Sequence, residues 1–444
     1  MLDTVPEALP TSLENYCLKF DDIFENTAQR KHFREYTAGL LSEIHRKNIM
    51  AIAESTVECG YVNLHHFLHN SPWDADRLND RRIEVAWQNR KTRPAVGYRL
   101  IIDDSGHRKS GADTDGVARQ YIGQIGKVDN GAVVVTSHAC DAKRCLPLDL
   151  AQYFPASCLP KGKEDENFKT KPTMAIELID KCLARDLKPG RVVADSFYGD
   201  NTKFLQALEE RNLEYVVALK GARNVYIELP GDKRREKHRL DEVVKTITAE
   251  QLTKVTLPLE EPRDVWVVTF NIHFPKLIGT RILAIQLNAP TVEEATEVDY
   301  FLTNGPEERA IAAWIAIEYS SRNWIEVFYR ETKGWLGMAE YQVRSKRTIY
   351  RHWMLVFLAF SFITRERLIG GLRAQWSDKP LRTFGDTWRA FRHALDFYLL
   401  YWLKDNILVF VQHRLRHGFK CEPSRGRRSY SNRLDRIKLL YSGA

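Results

Sequence analysis

Arg191-Val-Val-Ala-Asp195-Ser-Phe-Tyr-Gly-Asp200 is followed by Asn201-Thr-Lys-Phe-Leu-Gln-Ala-Leu208 and then by Glu214-Tyr-Val-Val-Ala-Leu219. The three segments read as strand, helix and strand around an acid: two apolar, β-branched runs flank a segment with apolar residues at helical intervals. An equivalent run lies upstream, where Tyr98-Arg-Leu-Ile-Ile102 ends in Asp103-Asp104-Ser105-Gly106. Ligands of open α/β sheets sit outside the carboxyl ends of the strands, so both acids are expected at one crevice. Asp195 stands too early to cap the helix that follows. Asp200 is placed to do so, which leaves Asp195 for chemistry.

The pattern around these acids sets the organisation of the chain. Strands are predicted at 98–103, 117–125 and 131–139, then a helix at 173–186, a strand at 191–195, a helix at 201–211 and a strand at 214–219. Three strands followed by helix, strand, helix, strand is the ribonuclease-H order, in an α/β fold class. The polar loop Pro160–Pro172 is expected at the surface. Between 223 and 304 the pattern turns strand-like, as in Val265-Trp-Val-Val-Thr-Phe-Asn-Ile and Arg281-Ile-Leu-Ala-Ile-Gln-Leu, and no long helix is indicated. Residues 1–93 read as helical, with Ser71-Pro72-Trp73-Asp74 as a helix start in which Ser71 caps and Pro72 takes the first position. The helix after it, Asp76–Lys91, is laced with charge, which suits solvent or DNA equally. Five segments result: a helical N-terminal DNA-binding region at 1–93, the core at 94–222, a β-rich insertion at 223–304, a core helix at 305–345, and a helical, basic C-terminal region at 346–444.

The core helix carries Tyr319-Ser-Ser-Arg322-Asn-Trp-Ile-Glu326, with Lys333 seven residues further on. At 100° per residue from Tyr319, Arg322, Glu326 and Lys333 fall at about 300°, 340° and 320°, one stripe about 60° wide along roughly 20 Å of helix. Glu318 and Glu331 fall outside it. One carboxylate in line with two cations and a phenol suits a metal ion held beside a phosphodiester. Two aspartates and a glutamate are hard oxygen donors for Mg2+ or Mn2+. Two such ions, about 4 Å apart, activate water and stabilise a leaving oxygen. No G-x-x-x-x-G-K-[ST], G-x-S-x-G or H-E-x-x-H motif points to other chemistry. A sugar hydrolase with paired carboxylates fits poorly, because Arg322 and Lys333 beside Glu326 suit phosphate better than a neutral sugar.

The spacing Y-x2-R-x3-E-x6-K resembles the signature of a large superfamily of insertion-sequence transposases that use an Asp-Asp-Glu (DDE) triad in a ribonuclease-H-like fold. Leu64-His-His-Phe-Leu-His-Asn-Ser-Pro-Trp-Asp74 is similar to the N-terminal hallmark of one subgroup, as is Gly116-Val-Ala-Arg-Gln-Tyr121 with Gly126-Lys127 and Asn130. The likeness runs from about residue 60 to about 345. It implies a catalytic and metal-binding triad of Asp103, Asp195 and Glu326 with two Mg2+ or Mn2+ ions, and a mainly β insertion before the glutamate. Asp104 stays an alternative to Asp103, although relatives commonly show Asp, one free residue, then Thr or Ser, which favours Asp103. The same resemblance implies that Tyr319, Arg322 and Lys333 hold phosphates at the transposon tip. Expected partners are double-stranded DNA, as terminal inverted repeats and as target, and a second copy of the chain in the DNA complex. A catalytically inactive copy acting as a repressor and a ribonuclease-H-like nuclease without transposition are the competing expectations.

Composition agrees with a globular nucleic-acid enzyme. Of 444 residues 44% are hydrophobic, enough for real cores, and the net charge is +8. The charge is uneven: residues 401–444 carry ten Lys/Arg against three acids, the footprint of polyanion binding or of a solubilising tail. If the tail only solubilises, the DNA surface is to be sought in the N-terminal helices and around Arg108, Lys109 and Arg119; Lys109 and Arg119 count as DNA-binding candidates. The seven scattered cysteines contain no C-x2-C pair, so neither a zinc knuckle nor a disulfide framework is expected. Cys140 and Cys145 flank a turn-like Asp-Ala-Lys-Arg. His65, His66 and His69 find no nearby cysteine or acid in sequence and are read as structural. Trp353–Ile363 is too short to span a bilayer and is expected as a core helix. With no signal-peptide pattern at the start, the expected compartment is the bacterial cytoplasm, at the nucleoid.

Overall fold

The structure, a computed structural model, describes residues 5, 6, 8–57, 59–228, 235–370, 377 and 379–416. Helices α1 (Thr11–Cys17), α2 (Thr27–Leu41), α3 (Ile49–Ser55), α4 (Tyr61–His69) and α5 (Ala75–Gln88) open the chain. Strands β1 (Arg99–Arg108), β2 (Ala118–Ile122), β3 (Lys127–Cys140) and β4 (Cys145–Tyr153) follow, then α6 (Lys171–Ala184), β5 (Arg191–Ala194), α7 (Ser196–Gly199), α8 (Thr202–Glu210) and β6 (Tyr215–Leu219). Next come β7 (Asn224–Glu228), β8 (Arg235–Arg239), α9 (Leu240–Val243), β9 (Thr253–Leu257), β10 (Arg263–His273), β11 (Arg281–Leu287) and β12 (Val298–Thr303). Four helices end the described chain: α10 (Ala312–Ser320), α11 (Asn323–Trp335), α12 (Lys346–Ile369) and α13 (Phe384–Arg416). They fall into two units, one of residues 93–330 and one that joins the first 92 residues to those from 331 on.

The unit of residues 93–330 is built on one sheet. Its central order is β4-β3-β1-β5-β6, antiparallel from β4 to β1 and parallel from β1 to β6, which is the ribonuclease-H-like arrangement. The third antiparallel strand is β4, which the sequence pattern missed, whereas the expected strand at 117–125 is the short β2 beside the other half of β3. Pro147 explains the miss. Proline within a strand pattern argues against a strand, except at an edge or a bulge, and Pro147 sits where the β3–β4 register shifts between Ser137 and His138. Cys140 and Cys145 close that hairpin as register partners. In its turn, Asp141 accepts the backbone N–H groups of Lys143 (2.7 Å) and Arg144 (2.8 Å).

Leu100–Ile102, Val192–Ala194 and Tyr215–Val217 are fully buried, the unbroken apolar pattern of strands covered on both faces. The insertion extends the same sheet: β12 pairs with β6, β11 with β12 and β10 with β11. Helix α10 packs on the insertion, with Ile315 and Ala316 among Val255, Val265, Val267, Ile282 and Phe301.

The other unit is helical. Trp353 to Ile363 of α12 are buried without exception, the core helix expected, and the helix packs against α2, α4, α5 and α13. Two of its buried polar side chains find partners in the same unit. His352 bonds Tyr36 Oη (2.8 Å) and the Gly337 carbonyl (3.1 Å). Arg351 lies over the Trp73 ring and donates to the carbonyls of Leu68 (2.9 Å) and Ser71 (2.8 Å). Ser71 is therefore not the cap of α5. Asp74 is, accepting from the backbone of Asp76 (2.8 Å) and Arg77 (3.2 Å), while the non-helical stretch from Ser71 to Trp73 turns carbonyls to Arg351. The rings of His65 and His69 stack at 5.1 Å. Among the described residues, no helix is long and apolar enough to cross a membrane. The basic stretch from Lys420 to Lys438 lies outside the described residues.

Candidate functional site

Strands β1 and β5 pair in parallel up to Ile102 and Ala194. The next residue on each is an aspartate, so Asp103 and Asp195 emerge side by side at adjacent strands. Beyond this point β5 stops and the chain turns into α7, while β1 continues to Arg108 along β3 alone; the crevice opens at that divergence. Asp195 itself caps α7, with Oδ1 accepting from Phe197 (3.0 Å) and Tyr198 (3.4 Å). Asp195 was expected to stand too early to cap, and Asp200 to cap in its place. Both expectations are corrected, since a one-turn helix starts directly at the strand end and Asn201 caps α8. Capping occupies one carboxylate oxygen.

Asp103 is 6% exposed. Its Oδ1 accepts the Asp104 backbone N–H (2.8 Å) and its Oδ2 accepts Arg322 Nη2 (2.7 Å). Arg322 Nη1 in turn donates to Glu326 Oε1 (2.7 Å), so one guanidinium bridges the first aspartate and the glutamate. Burial pushes the Asp103 carboxyl up to about 7; Arg322 opposes the shift, and Asp195 and Asp104 add to it. Burial also raises Asp195 against the pull of Arg322. Burial works against the charge on Arg322, but Asp103 foremost keeps its pKa above the ordinary value. Asp103 is buried and Asp195 half-buried, and both lie in the field of Arg322.

The expected single helix is two. Helix α10 ends at Ser320 and α11 begins at Asn323. Across the break the backbone bonds tighten to i→i−3, from Arg322 to Tyr319 (2.9 Å) and from Trp324 to Ser321 (3.1 Å). Ser320 Oγ and Ser321 Oγ bond the carbonyls of Ile317 (2.7 Å) and Glu318 (2.6 Å), a competition that disrupts helices. The uniform stripe does not survive this break. Tyr319 stacks on Phe301 of β12 at 4.2 Å, Arg322 lies in the break, and Glu326 projects from the first turn of α11 with its side chain 60% exposed. Lys333 lies in the last turn of α11, in the other unit, with its ammonium lowered to about 8 by burial.

The two members of the Asp103/Asp104 doublet have different company. Asp104 Oδ2 meets Lys171 Nζ at 2.7 Å and its Oδ1 lies 3.5 Å from Tyr198 Oη. Lys171 comes from the loop expected at the surface, whose last residues in fact start α6, with Thr170 as its cap. Tyr329 of α11 packs beneath the site, its hydroxyl on Thr136 and 3.5 Å from the Asp103 carbonyl. Nothing in the sequence marked Lys171 or Tyr329. Glu318, set aside for its angle on the helix, is 4% exposed. It pairs with Arg99 (2.6 Å) and Arg191 (2.6 Å), register partners at the starts of β1 and β5. Lys109 and Arg119 are not gathered with the carboxylates: each lies six residues along the sheet from Asp103 or its partner Thr136, roughly 20 Å away at strand spacing. Arg119 is exposed on β2, and burial lowers the Lys109 ammonium to about 8.

The donor set fits hard divalent cations. Asp103, Asp195 and Glu326 offer only carboxylate oxygens, and a bound cation would offset the burial that pushes the Asp103 and Asp195 carboxyls up.

A ribonuclease-H-like sheet with acids at the carboxyl ends of its central parallel strands is the scaffold of DDE-type nucleases. A family model described as DDE superfamily endonuclease matches residues 19–260, more than half of the chain, and one described as transposase DDE domain matches residues 169–362. The chain belongs to the DDE superfamily endonuclease family. It is 37% identical over 218 residues to a protein of Microchaete diplosiphon named as a probable transposase for insertion sequence element IS701. That match takes in 49% of this chain and 55% of the relative, so the chain spans about half the length of the curated relative it matches. Among solved structures, a piggyBac transposase synaptic complex with hairpin DNA is similar over 96% of this chain and 84% of the other, at 10% identity and a TM-score of 0.45.

Proposed function

We propose that the chain is an insertion-sequence transposase that cuts DNA at the ends of its element and joins them to target DNA. The observation that carries this is the pairing of Asp103 with Asp195 at the ends of neighbouring parallel strands, with Glu326 tied to Asp103 through Arg322. The designation of the Microchaete relative as a probable transposase supports it. In this reading Asp103, Asp195 and Glu326 hold two Mg2+ or Mn2+ ions, which when bound activate the attacking water or hydroxyl and stabilise the leaving oxygen. Asp103 is the first aspartate of the triad, because it shares Arg322 with Glu326 while Asp104 is held by Lys171. Arg322 aligns the two carboxylates and, with Tyr319, faces phosphates of the element tip, and Lys333 binds DNA phosphate from its own unit. Lys109, Arg119, the N-terminal helices and the basic C-terminal end supply further binding to DNA. The active complex pairs two copies on DNA, at the bacterial nucleoid.

The test is cleavage and strand transfer on a duplex carrying the element end. Asp103→Ala, Asp195→Ala and Glu326→Ala are each expected to bind the end yet cut at least about 10³-fold more slowly, whereas Asp104→Ala retains most activity. Cleavage should need Mg2+ or Mn2+ and stop with chelator. Full cleavage by Asp195→Ala or Glu326→Ala would sink the assignment. Cleavage without joining would favour a nuclease that does not transpose.

A further inference from the structure

A second set of ligand-type side chains converges in the helical unit, in a place no part of the proposed chemistry uses. His32 and Glu35 are one turn apart on α2 and share a face. Cys59 comes from the connection between α3 and α4. His32 Nδ1 lies 2.8 Å from Glu35 Oε2 and 3.4 Å from Cys59 Sγ, and the three ligand atoms lie within 4.8 Å of one another.

These separations can be weighed against a metal. Bonds of about 2.0–2.3 Å at tetrahedral angles put neighbouring N, O and S ligands about 3.3–3.5 Å apart. The cysteine–histidine pair already stands there, and the histidine–glutamate hydrogen bond has to open by about half an ångström. The set also has donor capacity to spare. Glu35 is 7% exposed, and its Oε1 is buried without a hydrogen bond, with Lys31 Nζ 4.0 Å away. A buried carboxylate oxygen left without a hydrogen bond is costly, and bidentate coordination by Glu35 would satisfy it. A thiolate, an imidazole and a carboxylate together select Zn2+ rather than the hard cations suited to an all-oxygen crevice.

We infer that His32, Glu35 and Cys59 form a Zn2+ site in the helical unit. Three protein ligands leave a fourth position for water, and the His32 side chain is 17% exposed. Binding releases the Cys59 thiol proton to solvent, and the imidazole proton resides on Nε2 so that Nδ1 can coordinate. The ion joins α2 to the entry of α4 and so restrains the Leu64–Asp74 segment that follows.

The test uses the full chain, stripped with chelator and titrated with Zn2+ or Co2+. Wild type is expected to develop a thiolate-to-metal charge-transfer band, with the intense visible absorption of a tetrahedral ion, whose amplitude corresponds to one Co2+ per chain. One equivalent of Zn2+ should displace it and raise the melting temperature by several degrees. Cys59→Ser and Glu35→Gln, conservative in size and checked by circular dichroism, should lose the melting shift, and Cys59→Ser should also lose the charge-transfer band. Asp195→Ala should keep both. A band that persists in folded Cys59→Ser, or a wild type with neither band nor shift, overturns the site.

Discussion

Arg322 does two jobs at once: it supplies charge to a buried carboxylate and spaces it from an exposed one. A lysine can supply the charge but not two parallel donors, so Arg322→Lys should bind DNA ends nearly as wild type and lose cleavage at least about tenfold. Unimpaired cutting by this variant would show that bridging Asp103 to Glu326 is unimportant. Glu318 is the contrasting acid. Replacing it with glutamine leaves Arg99 and Arg191 side by side without a counter-charge, at a cost of about 3 kcal/mol. Urea unfolding measures this, and an unchanged midpoint would contradict the buried triad. Lys47 adds a pH dependence. Burial lowers its pKa to about 7 from 10.5, with Glu340 and Glu43 opposing. Between those values the unfolded chain keeps a proton that the folded chain has released, so stability rises with pH through this window. Wild type should therefore gain stability over Lys47→Met from about pH 7 to about pH 9, by at most ~1.4 kcal/mol per pH unit; parallel curves would refute it. The acids that close the apolar runs of β1 and β5 could be placed from sequence, because the end of such a run is a local property, whereas the Tyr319–Lys333 spacing, read as one helix, fails at the α10–α11 break. Lys171 and Tyr329 could not be placed, since each meets the site through partners more than sixty residues distant in the chain.

Among the elements, legibility followed the simplicity of the local pattern. β1, β3, β5 and β6 are apolar runs closed by acids or turns, and their order is visible from those runs alone. β4 was hidden by Pro147, because a bulge that tolerates proline is a property of the pairing and not of the strand. The α10–α11 break was hidden because the apolar spacing continues through it while two serine hydroxyls take over the carbonyls of the preceding turn. The start of α5 was misread for a similar reason: Ser71 and Asp74 are both good caps, and the choice was made by Arg351, remote in sequence. Asp74→Ala should therefore cost about 1 kcal/mol of stability, seen as a lowered denaturation midpoint. A variant as stable as wild type would mean that α5 is held by packing alone.

Across the whole molecule, charge is the feature most open to test. Deleting residues from 424 onward removes Arg425, Arg427, Arg428, Arg433, Arg436 and Lys438 against Asp435. If these charges bind phosphates, the slope of log affinity against log salt on a fixed duplex becomes shallower by about 0.9 for each phosphate no longer neutralised, with circular dichroism unchanged. An unchanged slope in a folded protein would make the tail a solubilising one and turn attention to Arg108, Lys109 and Arg119. The placement of α12 has a different consequence, one of timing. The apolar faces of α2, α4 and α5 close on a helix that begins about 260 residues after α5 ends. At roughly 5–20 residues per second, the ribosome delivers that partner about 13–50 s later. The contiguous unit of residues 93–330 emerges complete in the interval, while Phe33, Tyr36 and Phe67 wait for Trp353 and its neighbours. Fragments that end before α12 should accordingly accumulate in aggregates, and slow translation should hold the nascent chain longest at its most adhesive stage.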